Sequence, residues 1–129
     1  MTDAELMEVA QAYRLRAYAP YSHFKVGAAV LTRAGHAYGG CNIENASYPV
    51  ACCAERTAIF KAVSEGERDI EALAVVADTD GPCAPCGMCR QAISEFHIPR
   101  ILMGNLKGEV REVTLAELLP FAFSESDLG

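Results

Sequence analysis

The rhythm of apolar and polar positions changes several times along the chain, and each change marks an element. Leu6, Val9, Ala10, Tyr13 and Ala17 recur at the spacing of an amphipathic helix. Thr2 and Glu5 form a capping box ahead of them, so a helix is expected from about Asp3 until Pro20 ends it. Lys25 to Leu31 reads as a small-apolar strand, Arg33-Ala34-Gly35 as a turn, and His36 to Cys41 as the returning strand of a hairpin. Asn42 to Ala51 is rich in residues that favour loops. Cys53 to Glu65 reads as a helix with Ala54, Ala58, Phe60, Ala62 and Val63 on its apolar side and Gly66 as its stop. Ile70 to Ala77 is apolar at consecutive positions, the pattern of a strand covered on both faces.

Asp78 to Pro85 is turn-rich, and Cys86 to Phe96 is expected to be helical. Arg100 to Gly104 and Glu109 to Val113 read as two strands around a turn at Lys107-Gly108. Thr114 and Glu117 cap a short helix that Pro120 ends, and Phe121 to Gly129 shows no periodicity. The order α-β-β-α-β-α-β-β-α predicts a single α/β domain over 1–129. Its architecture should be a three-layer α-β-α sandwich around a mixed five-stranded sheet. Ligands of such sheets bind where helix N-termini converge beside strand ends.

Composition narrows the functional classes. The chain has 129 residues, enough for one domain with a real core. Hydrophobic residues at 51% and charged residues at 22% exclude a disordered chain. The longest strongly apolar run, Ala72 to Ala77, is too short to span a membrane. The acidic start Met1-Thr2-Asp3-Ala4-Glu5 has no basic n-region, so no signal peptide and a cytoplasmic location are expected. A net charge of −6 argues against nucleic acid and for a small-molecule substrate. Six cysteines without an export signal read better as metal ligands than as disulfides.

The chemistry concentrates in Cys53-Ala54-Glu55 and Pro85-Cys86-Gly87-Met88-Cys89, both at expected helix starts. Catalytic zinc typically takes three protein ligands and a water whose pKa falls to roughly 7. Three thiolates with a neighbouring carboxylate therefore predict a zinc hydrolase. Cys86 and Cys89 share one face of a first turn, where the helix dipole favours thiolate. Within a regular helix Glu55 would lie about 200° around from Cys53. Both can reach one ligand only if the helix starts close to Cys53. Cys83-x-x-Cys86-x-x-Cys89 holds two overlapping pairs, and spacing alone does not choose between them. Pro85 suits a helix start and favours Cys86 with Cys89, while Cys52 competes with Cys53 at a different offset from the carboxylate.

Arg56, three residues after Cys53, is expected to donate to thiolate sulfur and offset the net negative charge of a three-thiolate zinc site. Cys41, Cys52 and Cys83 read as ordinary buried or loop thiols, and His23, His36 and His97 as surface or capping residues. Glu65, Glu67, Asp69 and Glu71 read as a solvated stretch. Asn42 and Glu44, an amide and a carboxylate two apart, could hold a pair of hydroxyls such as those of a ribose, or simply make the turn.

These motifs, with Tyr18-Ala19-Pro20-Tyr21-Ser22, Phe24-Lys25-Val26-Gly27-Ala28 and Asn42-Ile43-Glu44-Asn45-Ala46-Ser47-Tyr48-Pro49, resemble segments of the zinc-dependent cytidine deaminases, in the family order. The resemblance implies one zinc per chain on Cys53, Cys86 and Cys89, with water as fourth ligand. It implies that hydroxide attacks C4 of cytidine or 2′-deoxycytidine while Glu55 relays protons to N3 and to the departing ammonia, in pyrimidine salvage. Asn42 and Glu44 match positions that bind ribose hydroxyls, Phe24 matches a ring near the base, and Ala54 is expected among the substrate-binding residues. Ala46 and Tyr48 match residues that approach a neighbouring subunit's site. Phe123 matches a phenylalanine that covers a neighbour's pyrimidine, although Phe121 stands where the family often has a small residue. The short chain and all-cysteine ligand set resemble the homotetrameric branch. Two competing readings are a blasticidin-type deaminase, for which the Asn42–Glu44 loop need not hold a ribose, and a closed Cys₄ zinc module, which leaves Glu55 without a task.

Overall fold

The computed structural model describes residues 1–129. The elements are α1 (Asp3–Arg14), β1 (Val26–Thr32), β2 (Ala37–Cys41), α2 (Ala54–Ser64), β3 (Ile70–Ala77), α3 (Gly87–Glu95), β4 (Arg100–Asn105), β5 (Val110–Thr114) and α4 (Leu115–Leu118). Short 3₁₀ turns add Tyr48–Val50 and Glu125–Leu128. The five strands form one sheet in the order β2-β1-β3-β4-β5. Only the β3–β4 pair is parallel; β1–β2, β1–β3 and β4–β5 are antiparallel. The mixed α/β sandwich matches the sequence expectation.

Alternation along β3 shows why the sheet needs cover on both faces. Ala72, Ala74 and Val76 join Leu6, Met7 and Ala10 of α1 in one core. Leu73, Val75 and Ala77 join Ala58, Ile59 and Ala62 of α2 and Ile93 of α3 in the other. The hairpin residues are small because the helices lie close. A Cβ at Gly27 would sit 1.9 Å from the Ala10 carbonyl oxygen, and one at Gly40 would sit 2.5 Å from the Ala58 nitrogen. Gly27 thus lets α1 rest directly on β1, and Gly40 lets the first turns of α2 rest directly on β2.

Three expectations are corrected. The first helix stops at Arg14, well short of Pro20, and Ala17 lies outside it. The chain leaves the helix because the Tyr18 N–H donates to the Asn42 carbonyl (3.0 Å) and the Glu44 N–H to the Tyr18 carbonyl (2.8 Å). On α2, Phe60 points outward at 48% exposure, and Ile59 is buried instead, because the face that meets the sheet is the one carrying Ala54, Ala58 and Ala62. Glu67 is half-buried and hydrogen-bonded, not a free solvated charge. It accepts hydrogen bonds from Tyr38 and from Thr32 Oγ1 (2.8 Å), and His36 Nδ1 lies 3.0 Å away.

Candidate active site

Both cysteine motifs occupy helix N-termini. Cys53 is the extended N-cap of α2, Cys86 is the extended N-cap of α3, and Cys89 follows in the first turn of α3. Neither N-cap side chain is spent on the helix backbone, so both thiols project free of it. The geometric condition on Glu55 is met, since the helix begins immediately after Cys53.

The three sulfurs converge. Cys53 Sγ lies 3.7 Å from Cys86 Sγ, Cys86 Sγ lies 3.5 Å from Cys89 Sγ, and all three fall within 4.8 Å of one another. Tetrahedral zinc with Zn–S near 2.3 Å requires sulfur pairs about 3.8 Å apart. The cluster therefore fits one zinc ion, and all six cysteines are free thiols. Cys83 is carried away from the cluster because its N–H pairs with the Gly104 carbonyl, and burial pushes its thiol up to about 11. Cys52 Sγ instead accepts from Thr57 Oγ1 at 3.6 Å. Of the cysteines that spacing leaves open, Cys53, Cys86 and Cys89 are the three whose sulfurs converge.

Charge is organised around Cys53. The Cys89 thiol and the Arg56 guanidinium hydrogen-bond to its sulfur and draw its thiol down to about 5. Cys89 is pushed up in turn by the same bond and by burial, so Cys53 ionises first of the pair. Arg56 Nη2 donates to Cys53 Sγ at 3.4 Å, while its buried Nε has no partner within the chain. Glu55 is 4% exposed, and burial raises its carboxyl to about 7, with the Cys53 thiolate adding to the shift.

Glu55 opens onto a cavity of about 240 Å³, which Cys53, Ala54, Phe24, Asn42 and Glu44 also line. Asn42 Oδ1 accepts from the Val26 N–H and its Nδ2 donates to the Phe24 carbonyl, both at 2.8 Å. Glu44 Oε1 accepts from the N–H groups of Tyr21 (2.9 Å) and Ser22 (3.1 Å), and Oε2 accepts from the Ser22 hydroxyl. These bonds, the Ser22 hydroxyl first, hold the Glu44 carboxyl below its usual range. The pair both makes the turn and faces the cavity.

The remaining candidates are not brought to Glu55 within this chain. Tyr48 is 74% exposed and lines an adjoining hollow of about 420 Å³ with Cys53, Arg56 and Met88. Ala46 is exposed, and Phe123 is 59% exposed with its carbonyl held by Gln91 at 2.9 Å. Four cavity residues were not singled out for the site from the sequence: Ser22, Val26, Cys83 and Ala84. Ser22 lies in one of the segments that resemble the family, with a hydroxyl in the loop just before β1, but nothing in the sequence joins it to Glu44.

Comparison with known proteins adds four findings. The family model described as the cytidine and deoxycytidylate deaminase zinc-binding region matches residues 1–105. A cytidine deaminase from Sporosarcina psychrophila is 58% identical over 119 residues, covering 90% of this chain and 87% of that protein. Another from Halalkalibacterium halodurans is 54% identical over 115 residues, covering 88% and 87%. The crystal structure of a cytidine deaminase from Burkholderia pseudomallei superposes with a TM-score of 0.92 at 50% identity, over 95% of this chain and 100% of that one.

Proposed function

The chain belongs to the zinc-binding cytidine and deoxycytidylate deaminase family, and from that premise we propose that it hydrolyses cytidine and 2′-deoxycytidine to uridine and 2′-deoxyuridine, releasing ammonia. One observation carries this reading. A nearly fully buried carboxyl, Glu55, shares a cavity with Cys53 and Cys86, two members of a three-sulfur cluster whose spacing suits zinc.

The cluster of Cys53, Cys86 and Cys89 would hold the ion. Zinc bound there supplies Lewis acidity that makes a water nucleophilic near neutral pH. Glu55 would take one proton from the water that attacks C4 and deliver it to N3 of the pyrimidine; it would then take the remaining proton from the new C4 hydroxyl and pass it to the amine as the C4–N bond breaks, leaving a C4 carbonyl and ammonia, the known division of labour in zinc deaminases. Arg56 holds the Cys53 sulfur in place. Phe24 and Ala54 wall the base, and Asn42 and Glu44 receive sugar hydroxyls. Burial of Glu55 keeps bulk water out of the reacting geometry.

The assembly is read as a homotetramer in which Ala46, Tyr48 and Phe123 complete a neighbour's site. Tyr48, Val50, Met88 and Phe123 support this: each is more than half exposed, and Tyr48 and Met88 line the hollow adjoining the Cys53 cluster. A cytoplasmic role in pyrimidine salvage agrees with six unpaired thiols, and no helix is long and apolar enough to cross a membrane.

The test is to incubate metal-analysed protein with cytidine and follow the ultraviolet change, with Glu55→Gln alongside. Conversion by the wild type alone, with about one zinc per chain, is the expected result. Bound zinc with no conversion of cytidine or deoxycytidine overturns the proposal and directs attention to a blasticidin-type substrate.

A further inference from the structure

We propose that Ser22 is a positioning residue for sugar recognition, its hydroxyl setting Glu44 so that a single acceptor position is left for a hydroxyl of the nucleoside sugar. This rests on the nucleoside reading above and adds a residue to it.

An ionised carboxylate only accepts hydrogen bonds, with about two positions on each oxygen. Both positions of Glu44 Oε1 are taken by the Tyr21 and Ser22 N–H groups. One position of Oε2 is taken by the Ser22 hydroxyl, which leaves one free. The same hydroxyl oxygen accepts the Phe24 N–H at 3.0 Å. Ser22 Oγ therefore ties the carboxylate that would receive the sugar to the backbone of the ring that would wall the base. Ser22 and Glu44 both line the cavity that contains Glu55.

Fastening the loop does not require this hydroxyl. The segment from Tyr18 to Ser22 is already joined to the 42–44 segment by Tyr18 N–H to the Asn42 carbonyl, Glu44 N–H to the Tyr18 carbonyl, and the two N–H bonds to Glu44 Oε1. Without the hydroxyl, Oε2 loses its own donor and can turn about the side-chain axis. The loss should therefore fall on sugar binding and leave the bond-breaking step alone.

Ser22→Ala tests this with two ligands: cytidine, read as KM and kcat, and 2′,3′-dideoxycytidine, read as a competitive inhibition constant against cytidine. The hydrogen bond at stake involves a charged acceptor, so KM for cytidine is expected to rise about tenfold. The same variant should keep kcat, the dideoxycytidine constant, zinc content and Tm near wild type. In a Glu44→Ala background, adding Ser22→Ala should change KM little, because the two residues act as one unit. An equal loss for both ligands, a fall confined to kcat, an unchanged KM for cytidine, or additivity with Glu44→Ala each overturns the assignment. A wild type that converts no cytidine defeats the nucleoside reading itself, and is seen in the control before any variant is compared.

Discussion

Two carboxylates line one cavity and are held in opposite ways. Glu55 stands in the first turn of α2, a helix packed on the sheet through Ala54, Ala58 and Ala62, all fully buried. Burial pushes its carboxyl up. Glu44 stands on a loop, receives three hydrogen bonds, and is held below its usual range by them. Groups of one chemical type are thus assigned different work by their surroundings. The helix-borne carboxyl suits proton transfer, and the loop-borne one suits steady acceptance. The supports differ as well. The core sets the position of the first, while a web of loop hydrogen bonds sets the second.

Glu55→Gln should separate the two most sharply. Glutamine keeps the size but cannot exchange protons, so kcat should fall by about 10²–10⁴-fold while zinc content and Tm hold. Steady-state kinetics with parallel metal analysis reads this directly. A variant near full activity would move the proton work away from the helix-borne carboxyl and dissolve the contrast.

What could be read in the sequence follows the same divide. The helix-borne half depends on residues near one another in the chain: Cys53 with Glu55, and Cys86 with Cys89. Their convergence needed only that α2 and α3 start where the motifs start, and they do. The choice between Cys83 and the following cysteines was open, because it turns on Cys83 pairing with β4, about twenty residues on. The loop-borne half depends on distant pairings. α1 ends at Arg14 because Tyr18 finds Asn42 and Glu44, which no local pattern reveals. The contact of Ser22 with Glu44 was hidden for the same reason. Phe60 is expected on the apolar side for its size, although the period of Ala54, Ala58 and Ala62 turns Ile59 toward that face and Phe60 away from it.

Glu44→Ala probes the loop-borne carboxylate. It removes the acceptor and frees the Tyr21 and Ser22 donors, so kcat/KM for cytidine should fall by roughly ten- to a hundredfold, most of it in KM. Equal losses in kcat and kcat/KM, with KM unchanged, would show that Glu44 acts in the chemical step. The two carboxylates would then no longer divide binding from catalysis.

Glu67 supplies the control that hydrogen bonding alone does not make a site. Like Glu44 it is held below its usual value, by the Tyr38 hydroxyl first and then by Thr32 and His36. It lies just beyond the end of α2, the same helix whose start carries Glu55, and ties that end to the β1–β2 hairpin. Its folded-state pKa lies below the unfolded value near 4.5, so its stabilisation is fully present above that pH and is lost as pH falls through the lower folded value. Glu67→Gln should therefore lower Tm at pH 7, and the difference from wild type should shrink on acidification below about 4.5. KM and kcat for cytidine should stay close to wild type. Thermal melts across pH, set beside kinetics at pH 7, read both quantities. A raised KM would mean that the hairpin clasp and the cavity are coupled along α2. An unchanged KM leaves sugar recognition to the carboxylate that faces the cavity, and makes Glu67 a fastening of the fold.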